Sequence, residues 1–283
     1  MSYQQYRPNS FNVLPLVVKN LLIINGLFFL ATFAFQNQGI DLADRLGLHF
    51  PLADKFEPYQ LITYMFMHGS LMHIFFNMFA LWMFGNTLEN YWGPKRFLTY
   101  YIITGIGAAV CHYTVVYFQI QPTLDVVNAY ITNPSPDAFQ AFVSSEHLKF
   151  TSVEMLDQFK ASATAYDNAV GLGNFSEAIN ISVDYMQSYK TDFLNAPVVV
   201  GASGSVFGIL LAFGMLFPNT MLYIYFAIPM KAKWFVVLYG AIELFSGIAN
   251  RPSDNVAHFA HLGGMLFGFI LIKYWQKKNK HFY

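Results

Sequence analysis

Residues 201–208 read GASGSVFG and open a stretch without Asp, Glu, Lys or Arg that lies between Asp192 and Lys231. Ser203 therefore stands among small residues at the start of an apolar segment. Such a serine can be a close-packing position, because Gly and Ser let membrane helices approach each other. It can also be a nucleophile whose small neighbours leave room for a substrate backbone. The motif alone favours the packing interpretation, but two further segments, which contain His73 and His261, reverse that preference.

The composition is that of an integral membrane protein. Of the 283 residues, 55% are hydrophobic and only 11% are charged, whereas soluble domains carry roughly 25% charged residues. The long uncharged segments support the same interpretation. The formal net charge is zero, and nothing resembles a basic surface for nucleic acid. Cys111 is the only cysteine, which excludes an internal disulfide and a cysteine-based metal cluster.

The apolar segments predict an all-α, polytopic membrane protein with a bundle of six transmembrane helices. The spans are expected within residues 20–40, 66–86, 97–118, 203–217, 234–248 and 256–274. No Ala-x-Ala cleavage site follows the first span, so we expect it to be retained. Residues 1–118 are then the N-terminal segment with spans one to three, and residues 197–283 hold spans four to six.

Residues 119–196 differ from the apolar segments in their charge, because they contain nine acidic and three basic residues. We expect a helical extracytoplasmic insertion between spans three and four. The predicted helix starts are Ser135 before Pro136, a Thr151/Glu154 capping box and a weaker signal at Ser176. The insertion is interpreted either as a folded ornament or as a lid or recruitment surface for substrate.

The distribution of Lys and Arg predicts the orientation. With six spans and the amino terminus inside, ten positive residues lie inside: Arg7, Lys19, Lys95, Arg96, Lys231, Lys233, Lys273, Lys277, Lys278 and Lys280. Outside the long insertion, only Arg45, Lys55 and Arg251 lie on the other side. We expect a bacterial inner (plasma) membrane protein with both termini cytoplasmic and the site opening to the extracytoplasmic side.

The spacing of glycines predicts which helices meet. Gly204 and Gly208 give span four a smooth face, and Gly264 and Gly268 give span six another. Two such faces bring helix axes together, which would place the Ser203 hydroxyl within hydrogen-bonding reach of the His261 ring. A serine hydroxyl is a weak nucleophile until a base activates it, so the pair predicts acyl-transfer chemistry.

The second span supplies polar groups that suit the oxyanion of such a reaction. His73 and Asn77 are four residues apart and share one helix face. Together with the Ser203 backbone N–H, free near a helix start, they can donate hydrogen bonds to the developing negative charge. The alternative is that they only form structural hydrogen bonds between helices. His68 is expected to line the same wet cavity.

These motifs, His73-x-x-x-Asn77, Gly201-Ala202-Ser203-Gly204 and Ala260-His261-x-x-Gly264-x-x-x-Gly268, together resemble the rhomboid family of intramembrane serine proteases. The resemblance implies a six-helix bundle and a catalytic Ser203–His261 dyad without an acidic third member. It implies an oxyanion hole from His73, Asn77 and the Ser203 amide, with no cofactor and no metal. It also implies cleavage of transmembrane protein substrates near their outer ends within the lipid bilayer.

Two positions depart from the family pattern. Tyr59-Gln60 stands where many members carry Trp-Arg, which affects how the first outer loop meets the membrane. Phe207 keeps the aromatic ring that is expected to stack on the catalytic histidine, without the frequent hydroxyl. We count His68, Gly201, Gly204, Phe207 and Gly264 as supporting residues.

Other functions remain open. A catalytically silent rhomboid-like protein that binds and sorts transmembrane helices would share the fold. A transporter would use His, Asn and Glu243 as an ion path, although no two-fold repeat is visible and Glu243 is expected at the outer interface. A metal site is disfavoured because His258 and His261 alone supply too few ligands. Glu89 and Arg96 are expected to pair or to meet headgroups.

Overall fold

The protein is described by a computed structural model for residues 12–224, 228–249 and 256–279. Within those residues the chain is mainly helical, as predicted. The helices are α1 Leu16–Gln36, α2 Leu42–Leu46, α3 Gln60–Thr63, α4 Leu71–Ala80, α5 Asn86–Trp92, α6 Pro94–Thr132, α7 Pro136–Val143, α8 Val153–Gly171, α9 Phe175–Asn195, α10 Ser203–Leu216, α11 Ala232–Ala249 and α12 His258–Asn279. The short strands are β1 Leu48–His49, β2 Val198–Val199, β3 Met221–Ile224 and β4 Ile228–Lys231.

The long apolar helices confirm a polytopic helical membrane fold. Among the described residues, four segments are long and apolar enough to cross a membrane: Leu16–Gln36, Leu71–Trp92, Pro94–Thr132 and Ala232–Ala249. Helix α10 is a shorter apolar helix. The count of six spans stays a prediction. Arg7, Arg251 and Lys280, which entered the charge count, lie outside the described residues.

The helix that contains the third predicted span is longer than the span itself. Helix α6 has 39 residues and contains Pro122. At 1.5 Å per residue it is about 58 Å long, roughly twice the thickness of a hydrocarbon core. Only part of α6 can therefore lie within the bilayer, and the helix continues for 14 residues beyond the predicted end at Phe118.

The described residues form two compact units. One contains the chain up to Gly47, residues 59–112 and the residues from Val199 onward, and the other contains Leu48–Pro58 and Tyr113–Val198. Every predicted site residue belongs to the first unit. The predicted domain boundaries after residues 118 and 196 stay predictions.

In the first unit, helix α10 packs closely against α6 and α12. A Cβ added at Gly264 would collide with the backbone carbonyl of Gly204, and one at Gly208 would lie 2.8 Å from the Thr104 Cβ. Gly268 lies against the Tyr100 hydroxyl, which itself donates a hydrogen bond to the Gly208 carbonyl at 2.8 Å. The glycine faces of spans four and six therefore meet as the sequence predicts.

A buried carboxylate fixes the start of α1. Glu89 is 3% exposed and accepts hydrogen bonds from the backbone N–H groups of Val17 and Val18 at 2.9 and 2.8 Å. Helix starts leave such donors unpaired, and Pro15 at the N-cap offers no side-chain acceptor. Glu89 therefore does not pair with Arg96, whose guanidinium lies over the Trp275 ring, 4.1 Å from its centroid. The alternative, that Arg96 meets headgroups, stays a prediction.

In the second unit, helices α7, α8 and α9 confirm that residues 119–196 are helical. Ser135 caps α7 by accepting from the Ala138 N–H, as predicted. The other two predicted caps are wrong, because Ser152 caps α8 and Asn174 caps α9. Neighbouring Ser, Thr and Asn residues compete for a cap position, and the sequence pattern does not resolve one residue.

The connection after α10 contains two strands that the sequence did not predict. Strands β3 and β4 pair antiparallel, with Met221 opposite Lys231 and Tyr223 opposite Pro229. Proline cannot donate to a ladder, so it is tolerated in a two-stranded ribbon where one edge is free.

Candidate active site

The turn before α10 is shaped by a glycine. Gly201 has φ +123°, a conformation that other residues rarely adopt, and its N–H donates to the Tyr64 carbonyl at 2.9 Å. A Cβ at Gly201 would lie 2.6 Å from His73 Nε2 and 3.7 Å from Ser203 Oγ. The His73 imidazole and the Ser203 hydroxyl therefore lie on the same side of Gly201.

Ser203 is the first residue of α10. The N-cap residue, Ala202, offers no side-chain acceptor to the N–H groups of the first turn. Those N–H groups have no intrahelical partner, and the positive end of the helix dipole points in the same direction. An anion beside Ser203 would thus meet a backbone donor.

Phe207 connects this turn to His261. Its ring lies parallel to the imidazole, with centroids 4.1 Å apart and an angle of 6° between the planes. Residues four apart share a helix face, so Ser203 lies one turn before Phe207 on the side that faces α12. The expected stacking of Phe207 on His261 is confirmed.

Helix α4 carries two polar side chains, His73 and Asn77, and the His73 imidazole lies against Gly201. Its start is capped by Ser70, whose hydroxyl accepts from the His73 N–H at 3.1 Å. Asn77 is 6% exposed, and its Nδ2 has no hydrogen-bond partner among the described residues. His68 is buried, and its ring stands edge-on to His73 with centroids 4.9 Å apart. A buried amide donor without a partner is costly, unless a ligand or water uses it.

Glu243 is buried beside two histidines of α12, and its expected depth at the outer interface stays a prediction. It is 8% exposed, as is His261. One carboxylate oxygen, Oε2, lies 2.8 Å from His261 Nδ1 and 2.6 Å from His258 Nδ1. His258 is the first residue of α12.

Glycines explain how α11 presents Glu243 to α12. Gly240 and Gly247 lie three residues before and four residues after it, on the same helix face. A Cβ at Gly247 would lie 3.2 Å from the His258 Cβ, and one at Gly240 would lie 3.3 Å from the Met265 Cε. This Gly-x-x-Glu-x-x-x-Gly pattern was visible in the sequence and could have indicated a buried, partnered glutamate.

Glu243, His258 and His261 also form a group that could hold a metal ion, with ligand atoms within 4.8 Å of one another. The sequence alone offered two of these ligands. Ligand atoms around a tetrahedral zinc ion are separated by about 3.3 Å when the bonds are 2.0–2.1 Å. The contacts of 2.6 and 2.8 Å are shorter and fit hydrogen bonds.

The fold and this polar cluster define a helical membrane protein with a serine and a histidine on two closely packed helices. A family model described as Rhomboid domain matches residues 55–120 and 167–277. The match covers more than half of the chain, and the chain therefore belongs to the rhomboid family. Residues 121–166, within the predicted insertion, lie outside the match.

Two relatives agree with this family. The chain is 23% identical over 272 residues to an uncharacterized mitochondrial rhomboid protein of Schizosaccharomyces pombe, covering 91% of this chain and 64% of that protein. It is 28% identical over 102 residues to Rhomboid-like protein 15 of Arabidopsis thaliana, covering 36% of this chain and 25% of that protein. The chain thus spans less than two thirds of the length of these relatives.

Proposed function

We propose that this protein is an intramembrane serine endopeptidase that cleaves single-span transmembrane substrates near their outer ends. Ser203 is the nucleophile and His261 is the base. The observation that carries the proposal is the stack of Phe207 on His261, one helical turn below Ser203. It is supported by the contact between Gly204 and Gly264, which brings α10 and α12 close together.

The chemistry is acyl transfer in two halves. The Ser203 Oγ attacks the scissile carbonyl carbon while its proton passes to His261 Nε2. The resulting oxyanion is stabilised by the Ser203 N–H, His73 and Asn77. When the carbon–nitrogen bond breaks, the leaving amine takes the proton from His261. Water then attacks the acyl-enzyme in the same way, which releases the carboxylic acid and restores the serine.

Hydrolysis requires water, which hydrocarbon excludes. We propose that His68, His73 and Asn77 line a cavity that opens to the extracytoplasmic side, with both termini cytoplasmic. Polar residues at membrane depth are tolerated where they face such a cavity. The location in a bacterial inner membrane is part of this proposal and rests on the sequence expectation alone.

The test is cleavage of a panel of single-span transmembrane substrates by the purified protein in liposomes. The parent should cleave at least one substrate near its outer end, and Ser203→Ala should abolish cleavage while leaving the melting temperature nearly unchanged. A parent that binds these helices without cleaving any would favour the silent, helix-sorting relative.

A further inference from the structure

We propose that Glu243 is a positioning residue for His261, so that the proposed pair Ser203–His261 is completed by a carboxylate from α11. The inference rests on the proposed function. It is motivated by the 2.8 Å contact between Glu243 Oε2 and His261 Nδ1. The other residues of the site do not by themselves call for an acidic group. The family resemblance implies a Ser203–His261 pair without an acidic third member.

The contact determines which nitrogen of His261 can act as base. An ionised carboxylate only accepts hydrogen bonds, so Nδ1 must carry the proton that it shares with Glu243. Nε2 is then left with a free lone pair. A neutral imidazole with its proton on Nδ1 is the tautomer that accepts the Ser203 proton at Nε2.

The carboxylate also stabilises the charged form of His261 that exists during the reaction. When Nε2 takes the Ser203 proton, the ring becomes a cation 2.8 Å from Glu243. At such a distance, and with little water, opposite charges attract strongly. The proton on Nδ1 stays on the ring throughout, and the proton on Nε2 passes to the leaving amine, so Glu243 itself neither gains nor loses a proton.

His258 holds Glu243 in this orientation. Its Nδ1 lies 2.6 Å from the same oxygen that contacts His261, and the two histidines are three residues apart on one face of α12. A long glutamate side chain with one partner can swing between rotamers. With two imidazoles on one oxygen, and Gly247 allowing α11 to approach His258, the carboxylate has little freedom to leave His261.

The competing explanation is that Glu243 only joins α11 to α12. The two explanations predict different effects when Glu243 is replaced by a neutral side chain of equal size. A purely structural glutamate, replaced by Gln, should change the melting temperature and leave the turnover of the folded protein unchanged. A positioning glutamate should lower kcat and leave KM unchanged, because the substrate does not contact it.

The experiment compares Glu243→Gln with Glu89→Gln, a matched buried glutamate that caps α1. For each protein we would measure kcat and KM on a cleaved substrate, the rate of labelling by a fluorophosphonate, and the melting temperature. Glu243→Gln should lower kcat and the labelling rate by about 10²- to 10⁴-fold, the range typical of a misdirected imidazole, with KM within about two-fold. Glu89→Gln should keep the parent kcat, and Glu243→Asp should recover part of the loss.

Equal kcat in Glu243→Gln and the parent would overturn the inference and leave the proposed protease intact. An inactive, unlabelled parent would instead overturn the proposed function, and the inference with it. Should Glu243→Gln fail to fold, His258→Gln replaces it. This variant should lower kcat about ten-fold or more, by analogy with the loss of hydrogen bonds that orient metal-bound histidines, and an unchanged kcat would count against the inference.

Discussion

The ring of Phe207 lies parallel to the imidazole of His261, with centroids 4.1 Å apart. This contact covers one face of the histidine ring, while the hydrogen bond from Nδ1 to Glu243 fixes the direction of the ring edge. The imidazole is therefore held by an aromatic ring from α10 and a carboxylate from α11. Several consequences can be measured.

Replacing Phe207 with Leu should lower kcat about three- to ten-fold. The reason is that aromatic pairs contribute about 0.5–1.5 kcal/mol beyond their buried area, and 1.4 kcal/mol corresponds to ten-fold in rate. The kinetic comparison uses Phe207→Tyr as its control, since this variant keeps the ring and should keep the parent rate. Equal rates for the Leu variant and the parent would show that the stack does not orient His261.

Replacing Gly201 with Ala should lower kcat by at least about 100-fold, because the new Cβ meets His73 Nε2 at 2.6 Å and the φ of +123° is strained for alanine. Displacing one oxyanion donor costs about that much. Fluorophosphonate labelling and cleavage measure the effect. Gly26→Ala is the control, since nothing lies within 4 Å of a Cβ there. If Gly201→Ala were as active as the parent, the assignment of His73 to the site would be contradicted.

Replacing Asn77 with Ala should lower kcat by about 10²- to 10³-fold, with KM within two-fold, since the Nδ2 group without a partner is proposed to bind only the developing oxyanion. Steady-state kinetics on one cleaved substrate measures both constants. Asn25→Ala provides the control, because Asn25 is also buried but donates to the Leu21 carbonyl at 2.8 Å. A rise in KM at constant kcat would assign Asn77 to substrate binding instead.

Deleting residues 125–190 tests the insertion. Its helices carry an aromatic core of their own, in which Phe142 contacts Tyr189 with ring centroids 5.3 Å apart. A unit that packs on itself favours the ornament interpretation, so we expect the deletion variant to keep the parent labelling rate and substrate preference. A changed preference across a substrate panel, at an unchanged labelling rate, would instead support a recruitment surface.

The sequence was sufficient for the elements with strong local signals. Helix α10 begins and ends within two residues of its prediction, because Gly201 and Pro218 interrupt the helical pattern on either side of it. The second span was predicted too early, since the cap at Ser70 was not recognised and α4 begins at Leu71. The helix of the third span continues past the predicted span, because Gln119 and Pro122 weaken hydropathy without stopping α6.

Tertiary relationships were harder to predict. Glu243 was expected at the outer interface without a partner, and the contact with His261 that its helix face makes beside Gly240 and Gly247 was not predicted. Glu89 was expected to pair with Arg96 across a turn or to meet headgroups, whereas it caps a helix 72 residues away. In both cases the partner of a buried charge depends on which helices pack together, which local patterns do not specify.

The most direct test of the account is labelling of the purified protein with a fluorophosphonate, with the modified residue located by mass spectrometry. We expect the parent to be labelled at Ser203, and the Ser203→Ala and His261→Ala variants to remain unlabelled while folded. A parent that stays unlabelled, or a His261→Ala variant labelled at the parent rate, would contradict the proposed pairing of the two residues.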